Sequence, residues 1–351
     1  MRLQMGIIEG YYGQPWQWRE REETAAFLAP YRYTFYIYAP KSDEFLRRRW
    51  REPHPPEIAQ QLTGLSYHCR HLGMSFGFGL SPYEIYLAFD DEAKGFLAAK
   101  LRSLDDFGLE ILAILFDDMR GDVPELAETQ ADIVHWIAER TSARQILVCP
   151  TYYSDDPILD RVFGRRPEHY LENLGRLLDP KIDAFWTGEE VCAREFSPGH
   201  LQRVAGQLRR KPFLWDNYPV NDGARMSQFL HLRAFTGRPA SIADCIAAHA
   251  INPALQPVLS RIPALTLAES YERGEQYEYS AALLRAAEAV LGAELAVMVR
   301  NDLNAFQDIG LEQLGDRAGK LRTRYAKVDH PGAREIVAWL DGAYRFAGEM
   351  H

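Results

Sequence analysis

Short runs of apolar residues alternate along most of the chain with amphipathic stretches of helical length. The apolar runs have the length and continuous hydrophobicity of strands that are covered on both faces. They predict strands over Met5–Tyr12, Tyr33–Ala39, Ser75–Leu80, Ile111–Phe116, Gln145–Cys149, Ala184–Thr187, Phe213–Asp216 and, more weakly, Ala247–Ile251. The stretches between them predict helices over Arg21–Leu28, Pro56–His71, Glu92–Phe107, Gln130–Arg140, His169–Leu178 and His200–Leu208.

This alternation predicts a parallel sheet, because each helix returns the chain to the same edge of the sheet. Eight units within about 250 residues fit a closed barrel better than an open doubly wound sheet. No glycine-rich phosphate loop follows the first strand, which also disfavours a dinucleotide-binding fold. We therefore predict an α/β protein with a TIM-type (β/α)8 barrel over residues 1–256.

From about Gln256 onward the pattern is helical, with the clearest candidates over Tyr279–Val299 and Ala333–Phe346. The sequence therefore predicts a C-terminal α-helical region over residues 257–351. Such a region makes a homodimer through its helices possible, although nothing in its pattern requires one.

Composition and charge exclude several classes of partner. The 351 residues are 47% hydrophobic and 25% charged, which is enough for a large core. The net charge of -9 argues against nucleic acid and anionic membranes, which carry the same sign. The basic run Arg47–Arg51 is therefore expected in a solvated loop, with contact to an acidic or extended leaving group as the alternative.

The N-terminal residues lack the apolar segment of a signal peptide, and no apolar run is long enough to span a bilayer. The four cysteines have no close spacing, so we expect buried free thiols and neither a disulfide framework nor a zinc site. These features predict a cytoplasmic protein with no membrane partner.

Two neighbouring carboxylates, Asp117 and Asp118, end the most apolar strand of the chain. At the C-terminal rim of a β/α barrel such residues lie where active sites are built. Acidic residues also suit the start of any helix, so on this pair alone a structural role as a helix cap stays open.

Seven blocks at the predicted strand ends mix aromatic rings with hydroxyl, amide, carboxylate and ammonium groups. They read GIIEGYYGQPW (6–16), YAPKSD (38–43), LFDDM (115–119), CPTYY (149–153), WTGEEV (186–191), WDNYPVND (215–222) and INP (251–253). Aromatic walls with many polar groups suit a sugar ring, which has apolar faces and an edge of hydroxyls. Because strand ends converge in a barrel, the blocks predict a carbohydrate pocket.

Through these blocks, in this order, the chain resembles glycoside hydrolase family 84, the β-N-acetylglucosaminidases that include the protein O-GlcNAcases. The resemblance covers about three-quarters of the chain. It implies a retaining exo-β-N-acetylglucosaminidase that removes terminal β-linked N-acetylglucosamine, a hydrolase of carbohydrate metabolism that needs no cofactor and no metal.

Adjacent carboxylates can hardly flank a scissile bond from opposite sides, as they do in most glycosidases. Substrate-assisted cleavage removes that requirement, because the 2-acetamido oxygen of the substrate attacks the anomeric carbon and forms an oxazoline. The resemblance implies that Asp117 polarises the acetamido group and that Asp118 is the general acid and then base. Since like charges so close repel, we expect one carboxyl of the pair to stay protonated near neutrality.

The resemblance also implies substrate-binding residues, one or two at each strand end. Gly10 would contact the sugar through its backbone, and Lys41 would reach the 3-hydroxyl. The others are Tyr153 at the acetamido oxygen, Asp222 at the 4- and 6-hydroxyls, Asn252 at the same edge, and Trp215 and Asn217 around the acetamido and leaving groups. Structural roles remain as alternatives for Gly10, through its backbone freedom, and for Trp215, as core.

The natural leaving group stays open between a glycoprotein, a small glycoside and a cell-wall fragment. Glu189 and Glu190 depart from the family pattern and could alter selectivity there. Two other functions remain as alternatives: a sugar-binding protein without turnover, and a metal-dependent hydrolase that uses the aspartates as ligands. The second is disfavoured because no matching histidine or carboxylate block follows the other strands.

Overall fold

In the computed structural model, which describes residues 3–346, parallel strands close into a barrel in sequence order. They are β1 (Gln4–Ile8), β2 (Tyr33–Tyr38), β3 (Ser75–Leu80), β4 (Ile111–Leu115), β5 (Gln145–Cys149), β6 (Asp183–Trp186), β7 (Phe213–Asp216) and β8 (Ala248–Ile251). Strand β1 pairs in parallel with both β2 and β8, which closes the ring. The predicted (β/α)8 barrel is confirmed.

Helices alternate with the strands and cover the outside of the barrel. They are α1 (Trp18–Leu28), α2 (Pro56–His71), α3 (Asp91–Asp106), α4 (Leu126–Ala138), α5 (Ile158–Val162), α6 (Tyr170–Leu177), α7 (Pro198–Leu208), α8 (Gly223–Met226) and α9 (Pro257–Arg273). The short helices α5 and α8 lie in the loops that follow β5 and β7. Helix α9 follows β8 and packs against α1, which completes the outer ring.

Local sequence explains several helix starts. Asp90 precedes α3 and accepts a hydrogen bond from the amide of Ala93 at 2.9 Å. Ser197 precedes α7 and accepts from the amide of His200 at 3.2 Å, and Pro198 occupies the first helical position. Both side chains satisfy amides that have no partner within the helix.

The C-terminal helices are α10 (Tyr279–Leu291), α11 (Ala293–Asn304), α12 (Asp316–Tyr325) and α13 (Pro331–Leu340). The prediction of one helix over Tyr279–Val299 is wrong, because Gly292 has φ 75° and breaks it into α10 and α11. The predicted helix over Ala333–Phe346 is also too long at its C-terminal end. No helix within residues 3–346 has the length and apolar character needed to cross a membrane.

Helix α13 packs back onto the start of α9. The carboxylate of Glu335 accepts hydrogen bonds from the amides of Val258 at 2.8 Å and Leu259 at 2.9 Å. These amides belong to the first turn of α9, which has no intrahelical acceptor for them. The helical region is thus joined to the last helix of the barrel, and a division at residue 256 remains a prediction.

Aromatic side chains fill the barrel interior up to its C-terminal rim. Phe35 packs edge-on against Phe213, and Phe185 packs in the same way against both Phe213 and Trp215. Gly6 allows this packing, since a Cβ there would lie 2.2 Å from the ring of Phe35. Of these rings, Trp215 lies nearest the C-terminal ends of the strands, where it forms the base of the opening.

The four cysteines are free thiols. Cys69 and Cys149 are buried, as expected, whereas Cys192 is exposed and Cys245 is partly exposed. The expectation of burial is wrong for Cys192 because it lies in the loop after β6, at the open rim of the barrel.

Candidate active site

A cavity of about 230 Å³, here called the inner cavity, opens at the C-terminal rim. Its lining includes every residue to which the sequence assigns a catalytic or binding role: Gly10, Lys41, Asp117, Asp118, Tyr153, Trp215, Asn217, Asp222 and Asn252. Its volume lies below the range of about 300–1,000 Å³ that is usual for drug-sized ligands. The cavity therefore suits a single small ring.

Asp117 lies deep in the inner cavity, directly after β4. The amide of Phe116 still pairs with the carbonyl of Cys149, so strand geometry continues up to the aspartate. One carboxylate oxygen, Oδ2, accepts a hydrogen bond from Nζ of Lys41. The other, Oδ1, is buried and accepts no hydrogen bond from residues 3–346. A buried acceptor without a partner costs about 1–3 kcal/mol, which an N–H group of a ligand would recover.

Asp118 is held at both its carboxylate and its backbone. Its Oδ2 accepts a hydrogen bond from the hydroxyl of Tyr12 at 2.7 Å, and its Oδ1 accepts one from the hydroxyl of Tyr153 at 3.2 Å. Its carbonyl oxygen accepts from the guanidinium of Arg47 at 3.1 Å. The backbone has φ 56°, in the left-handed region that costs a non-glycine residue about 1–3 kcal/mol. These contacts hold the strained residue in one orientation.

The protonation state of Asp118 follows from its neighbours. Burial raises its pKa, but the charge of Lys41, the Tyr12 hydroxyl, Arg47 and the Tyr153 hydroxyl lower it further, so the net pKa lies below its ordinary value. The expectation that repulsion keeps one carboxyl of the pair protonated near neutrality therefore does not hold for Asp118. The physical reason is that the ammonium of Lys41 pairs with both aspartates and lies 3.6 Å from Asp118 Oδ2.

A hydrogen-bonded group of side chains forms the opposite wall. Asn217 Oδ1 accepts from Trp215 Nε1 and from Asn252 Nδ2, each at 3.0 Å. Asn252 Oδ1 in turn accepts from the amide of Gly10 at 3.0 Å, and Asn217 Nδ2 donates to the carbonyl of Val191 at 2.8 Å. The wall is therefore fixed by residues from the ends of β1, β6, β7 and β8.

Position 10 requires glycine, because the neighbouring Trp215 leaves no space for a side chain. A Cβ at this position would lie 1.9 Å from Cζ2 of Trp215, so any side chain would displace the indole. Because Asn252 already engages the amide of Gly10, a contact from the Gly10 backbone to a ligand would have to use its carbonyl oxygen.

Asp222 also lines the inner cavity. Its Oδ2 accepts a hydrogen bond from the amide of Tyr12 at 2.7 Å. Burial raises the pKa of Asp222 to about 6, and the charge of Asp118 adds to that rise. The carboxyl thus changes charge in the mildly acidic range.

The expectation of a fully solvated loop over Arg47–Arg51 is wrong. Arg47 is only 4% exposed, and its guanidinium lies 5.7 Å from the ring centre of Tyr12 and 5.5 Å from that of Tyr83. Trp50 is fully buried. Two aromatic faces and the carbonyl of Asp118 compensate the charge of Arg47 for its loss of water.

Tyr12 and Val191 are further cavity residues that the sequence analysis missed. Tyr11 and Tyr12 are adjacent, and strand-like alternation directs them to opposite sides. Tyr11 is buried and donates to Glu9, whereas Tyr12 faces the cavity. That alternation was a usable signal for Tyr12. Val191 lies in the loop after β6 and ends the WTGEEV block, but its aliphatic side chain is not a residue type that marks a binding role.

Glu189 and Glu190 do not line the inner cavity, nor do they line the neighbouring depression that is described next. Glu189 lies 3.4 Å from Nδ1 of His200, and Glu190 lies 3.8 Å from Arg194. No group of three or more His, Cys, Asp or Glu side chains within residues 3–346 could hold a metal ion. Between the two aspartates, the position that a bridging metal would need is taken by the ammonium of Lys41.

A second depression of about 640 Å³, here called the outer groove, adjoins the inner cavity. The two share Tyr12, Asp118, Tyr153 and Val191. Asp117 lines only the inner cavity, whereas Asp118 lines both the inner cavity and the outer groove. A ligand that spans the boundary would therefore have its junction beside Asp118.

Comparisons with known proteins agree on one family. A sequence model described as beta-N-acetylglucosaminidase matches residues 5–308. The proteins named Protein O-GlcNAcase of Mus musculus and Rattus norvegicus are each 29% identical over 280 residues. The match covers 77% of this chain but 30% of those relatives, so the chain spans under a third of their length.

A solved structure, a mutant of the O-GlcNAc hydrolase of Thermobaculum terrenum, has the same fold. Its TM-score is 0.81 at 30% sequence identity, and the match covers 96% of this chain and 80% of that one.

Proposed function

The chain belongs to the β-N-acetylglucosaminidase family of glycoside hydrolases, and on that premise we propose that it removes terminal β-linked N-acetylglucosamine with retention by substrate-assisted catalysis. The observation that carries the proposal is the unequal placement of the two aspartates. Asp117 is buried in the inner cavity with one oxygen unpaired within residues 3–346, and Asp118 lies where the inner cavity meets the outer groove. The unpaired oxygen of Asp117 can accept a hydrogen bond from an acetamido N–H, and Asp118 can reach a glycosidic oxygen.

In the first step the acetamido carbonyl oxygen attacks the anomeric carbon as the bond to the leaving oxygen breaks. Asp117 Oδ1 accepts a hydrogen bond from the acetamido N–H and favours the charge that develops on the amide. Asp118 donates its proton to the leaving oxygen, a contribution of about 10²–10⁴-fold for a positioned general acid. The products of this step are the free leaving group and an oxazoline in its protonated form, whose ring N–H stays hydrogen-bonded to Asp117.

In the second step water attacks the anomeric carbon and opens the oxazoline. Asp118, now a carboxylate, accepts a proton from that water, which restores its initial state. Two inversions at one carbon give net retention. For the first step Asp118 must gain a proton that its lowered pKa disfavours in the free enzyme. Contact of Lys41 with the sugar 3-hydroxyl would weaken the ion pair between Lys41 and Asp118. Because this ion pair lowers the pKa of Asp118, binding of the sugar would favour protonation of Asp118.

The remaining lining residues have matching roles in this proposal. Tyr153 donates to Asp118 in the free enzyme and would turn to the acetamido oxygen. Asp222 would accept hydrogen bonds from the 4- and 6-hydroxyls beside Asn252, while Trp215 would cover an apolar face of the ring beside Asn217. The carbonyl oxygen of Gly10 would complete the sugar edge.

We propose a protein bearing N-acetylglucosamine as the natural substrate, in keeping with the names of the relatives. The catalytic domain over residues 1–256, the separate helical region over 257–351, a homodimer through those helices and a cytoplasmic location stay predictions.

The first test is release of an aryl group from an aryl β-N-acetylglucosaminide, beside the matching β-glucoside, with and without a thiazoline mimic of the oxazoline. Turnover of the acetamido substrate alone, with tight thiazoline inhibition, is the expected result. Thiazoline binding without turnover would instead indicate a sugar-binding protein. Loss of activity with a chelator would support the metal-dependent alternative, and failure of both turnover and binding would reject the assignment of the cavity.

A further inference from the structure

The proposed reaction places the leaving group in the outer groove, because the groove meets the inner cavity at Asp118. Helix α5 and the residues that follow it form one part of its lining, here called the α5 wall, and Tyr83 and Met119 belong to the rest. In the proposed reaction the group attached to the sugar through the scissile bond would contact this lining.

The α5 wall presents aliphatic side chains to solvent. Ile158 is 36% exposed and Val162 is 64% exposed, although both are large and apolar. They are four residues apart on one helix, so they share a face. Covering such exposed apolar surface with an apolar group of a ligand is favourable, because it removes that surface from water.

This wall is held in position by the chain on either side of it. Asp156 Oδ1 accepts from the amide of Ile158 at 3.0 Å, and its Oδ2 accepts from the amide of Val191 at 3.2 Å. Val191 also lines the inner cavity. The apolar face of α5 is thus tied to the loop that borders the sugar site, and little ordering is needed when a ligand binds.

One charged pair and three aromatic rings of the groove have partners within the protein. Arg120 pairs with Asp122 at 2.5 Å. The guanidinium of Arg48 lies 4.6 Å from the ring centre of Tyr83, and Phe163 packs against Tyr153. A second sugar ring would need many free polar partners and an open aromatic face. The groove instead offers aliphatic surface.

We propose that the outer groove binds an apolar side chain of a polypeptide close to the glycosylated residue and so selects among glycoprotein sites. The inference rests on the proposed function, because it assigns the leaving-group side of the same reaction. The side chain packs on Ile158 and Val162 while the glycosylated hydroxyl lies beside Asp118.

The test uses glycopeptides that carry one β-linked N-acetylglucosamine on a central serine. A single leucine is moved through the three positions on either side, in an otherwise Ser/Gly background. At one or two positions we expect kcat/KM about tenfold higher than for the peptide without leucine, the size usual for an apolar pocket. The Val162→Ser and Ile158→Ser variants should each lose most of that preference.

The matched control is Val297→Ser on α11, where the native side chain is also exposed, at 43%, and lies outside the groove. It should keep both the leucine preference and the wild-type rates. Equal kcat/KM at every leucine position, or an unchanged preference in Val162→Ser and Ile158→Ser, would overturn the proposal. So would a disaccharide with a sugar leaving group that reacts as fast as the best peptide.

The aryl glycoside separates this proposal from the one it rests on. If the aryl β-N-acetylglucosaminide is hydrolysed and no leucine preference exists, the assignment of the outer groove is wrong and the glycosidase assignment stands. If the aryl glycoside is not hydrolysed, both are rejected.

Discussion

Removal of one hydroxyl, in Tyr12→Phe, should shift the pH dependence of the enzyme upward. The hydroxyl donates to Asp118 Oδ2 at 2.7 Å. Burial, with the charge of Asp118, raises the pKa of Tyr12 far above its ordinary value, so the group remains a neutral donor. The variant keeps the ring that lies against Arg47 and deletes the hydrogen bond.

The size of the shift follows from the type of hydrogen bond. A hydrogen bond to a charged group contributes about 1.5–3 kcal/mol, and about 1.36 kcal/mol corresponds to one pKa unit. The bond stabilises the carboxylate, so its loss should raise the pKa of Asp118. Because the proposed mechanism needs a protonated Asp118 as the general acid, the alkaline limb of kcat/KM should move to higher pH by about 1–2 pH units.

The assay is kcat/KM against pH with an alkyl β-N-acetylglucosaminide, whose poor leaving group needs the proton. This ratio reports groups of the free enzyme. Tyr83→Phe is the matched control, since Tyr83 also lies against Arg47 but does not donate to Asp118. Its alkaline limb should stay in place. An alkaline limb that does not move in Tyr12→Phe, or that moves to lower pH, would refute the reasoning.

Three further predictions concern other residues of the inner cavity. Asp118→Asn should slow a poor leaving group by about 10²–10⁴-fold and an activated aryl group far less, whereas Asp117→Asn should slow both; equal losses on both substrates in Asp118→Asn would contradict its role. Since Asp222 protonates as the pH falls through about 6, KM should rise below that pH, and a high KM without this dependence is expected for Asp222→Asn. Gly10→Ala should displace Trp215, lower the free energy of unfolding by about 1–3 kcal/mol and abolish thiazoline binding; wild-type binding by calorimetry would disprove this.

The strands could be predicted closely because a buried strand has a local signature. Strands β3, β5 and β7 begin and end at the predicted residues. The break at Gly292 was missed because apolar spacing continues across it, while the interruption depends on one backbone angle. Periodicity records which residues face the core but not where the helix axis changes direction.

The lining of the inner cavity could be predicted because its residues lie in blocks at strand ends. The contacts of Arg47 could not, because Tyr12 and Tyr83 come from loops after β1 and β3 and meet it only in the folded chain. In the sequence Arg47 belongs to a basic run that is typical of solvated surface. Its burial depends on partners that are distant along the chain, and the charge state of Asp118 depends on them in turn.

The contact between Glu335 and the start of α9 also bears on how the protein is made. The two amides of α9 receive their acceptor from a residue more than 70 positions later. A ribosome must therefore add more than 70 further residues before these two amides of α9 can meet their acceptor. A nascent chain stopped before residue 331 would contain all eight strands and α9. The amides of Val258 and Leu259 in the first turn of α9 would still lack the carboxylate of Glu335 as their acceptor. Helix α13 thus completes the N-terminal turn of α9 only after all eight barrel strands have been synthesised.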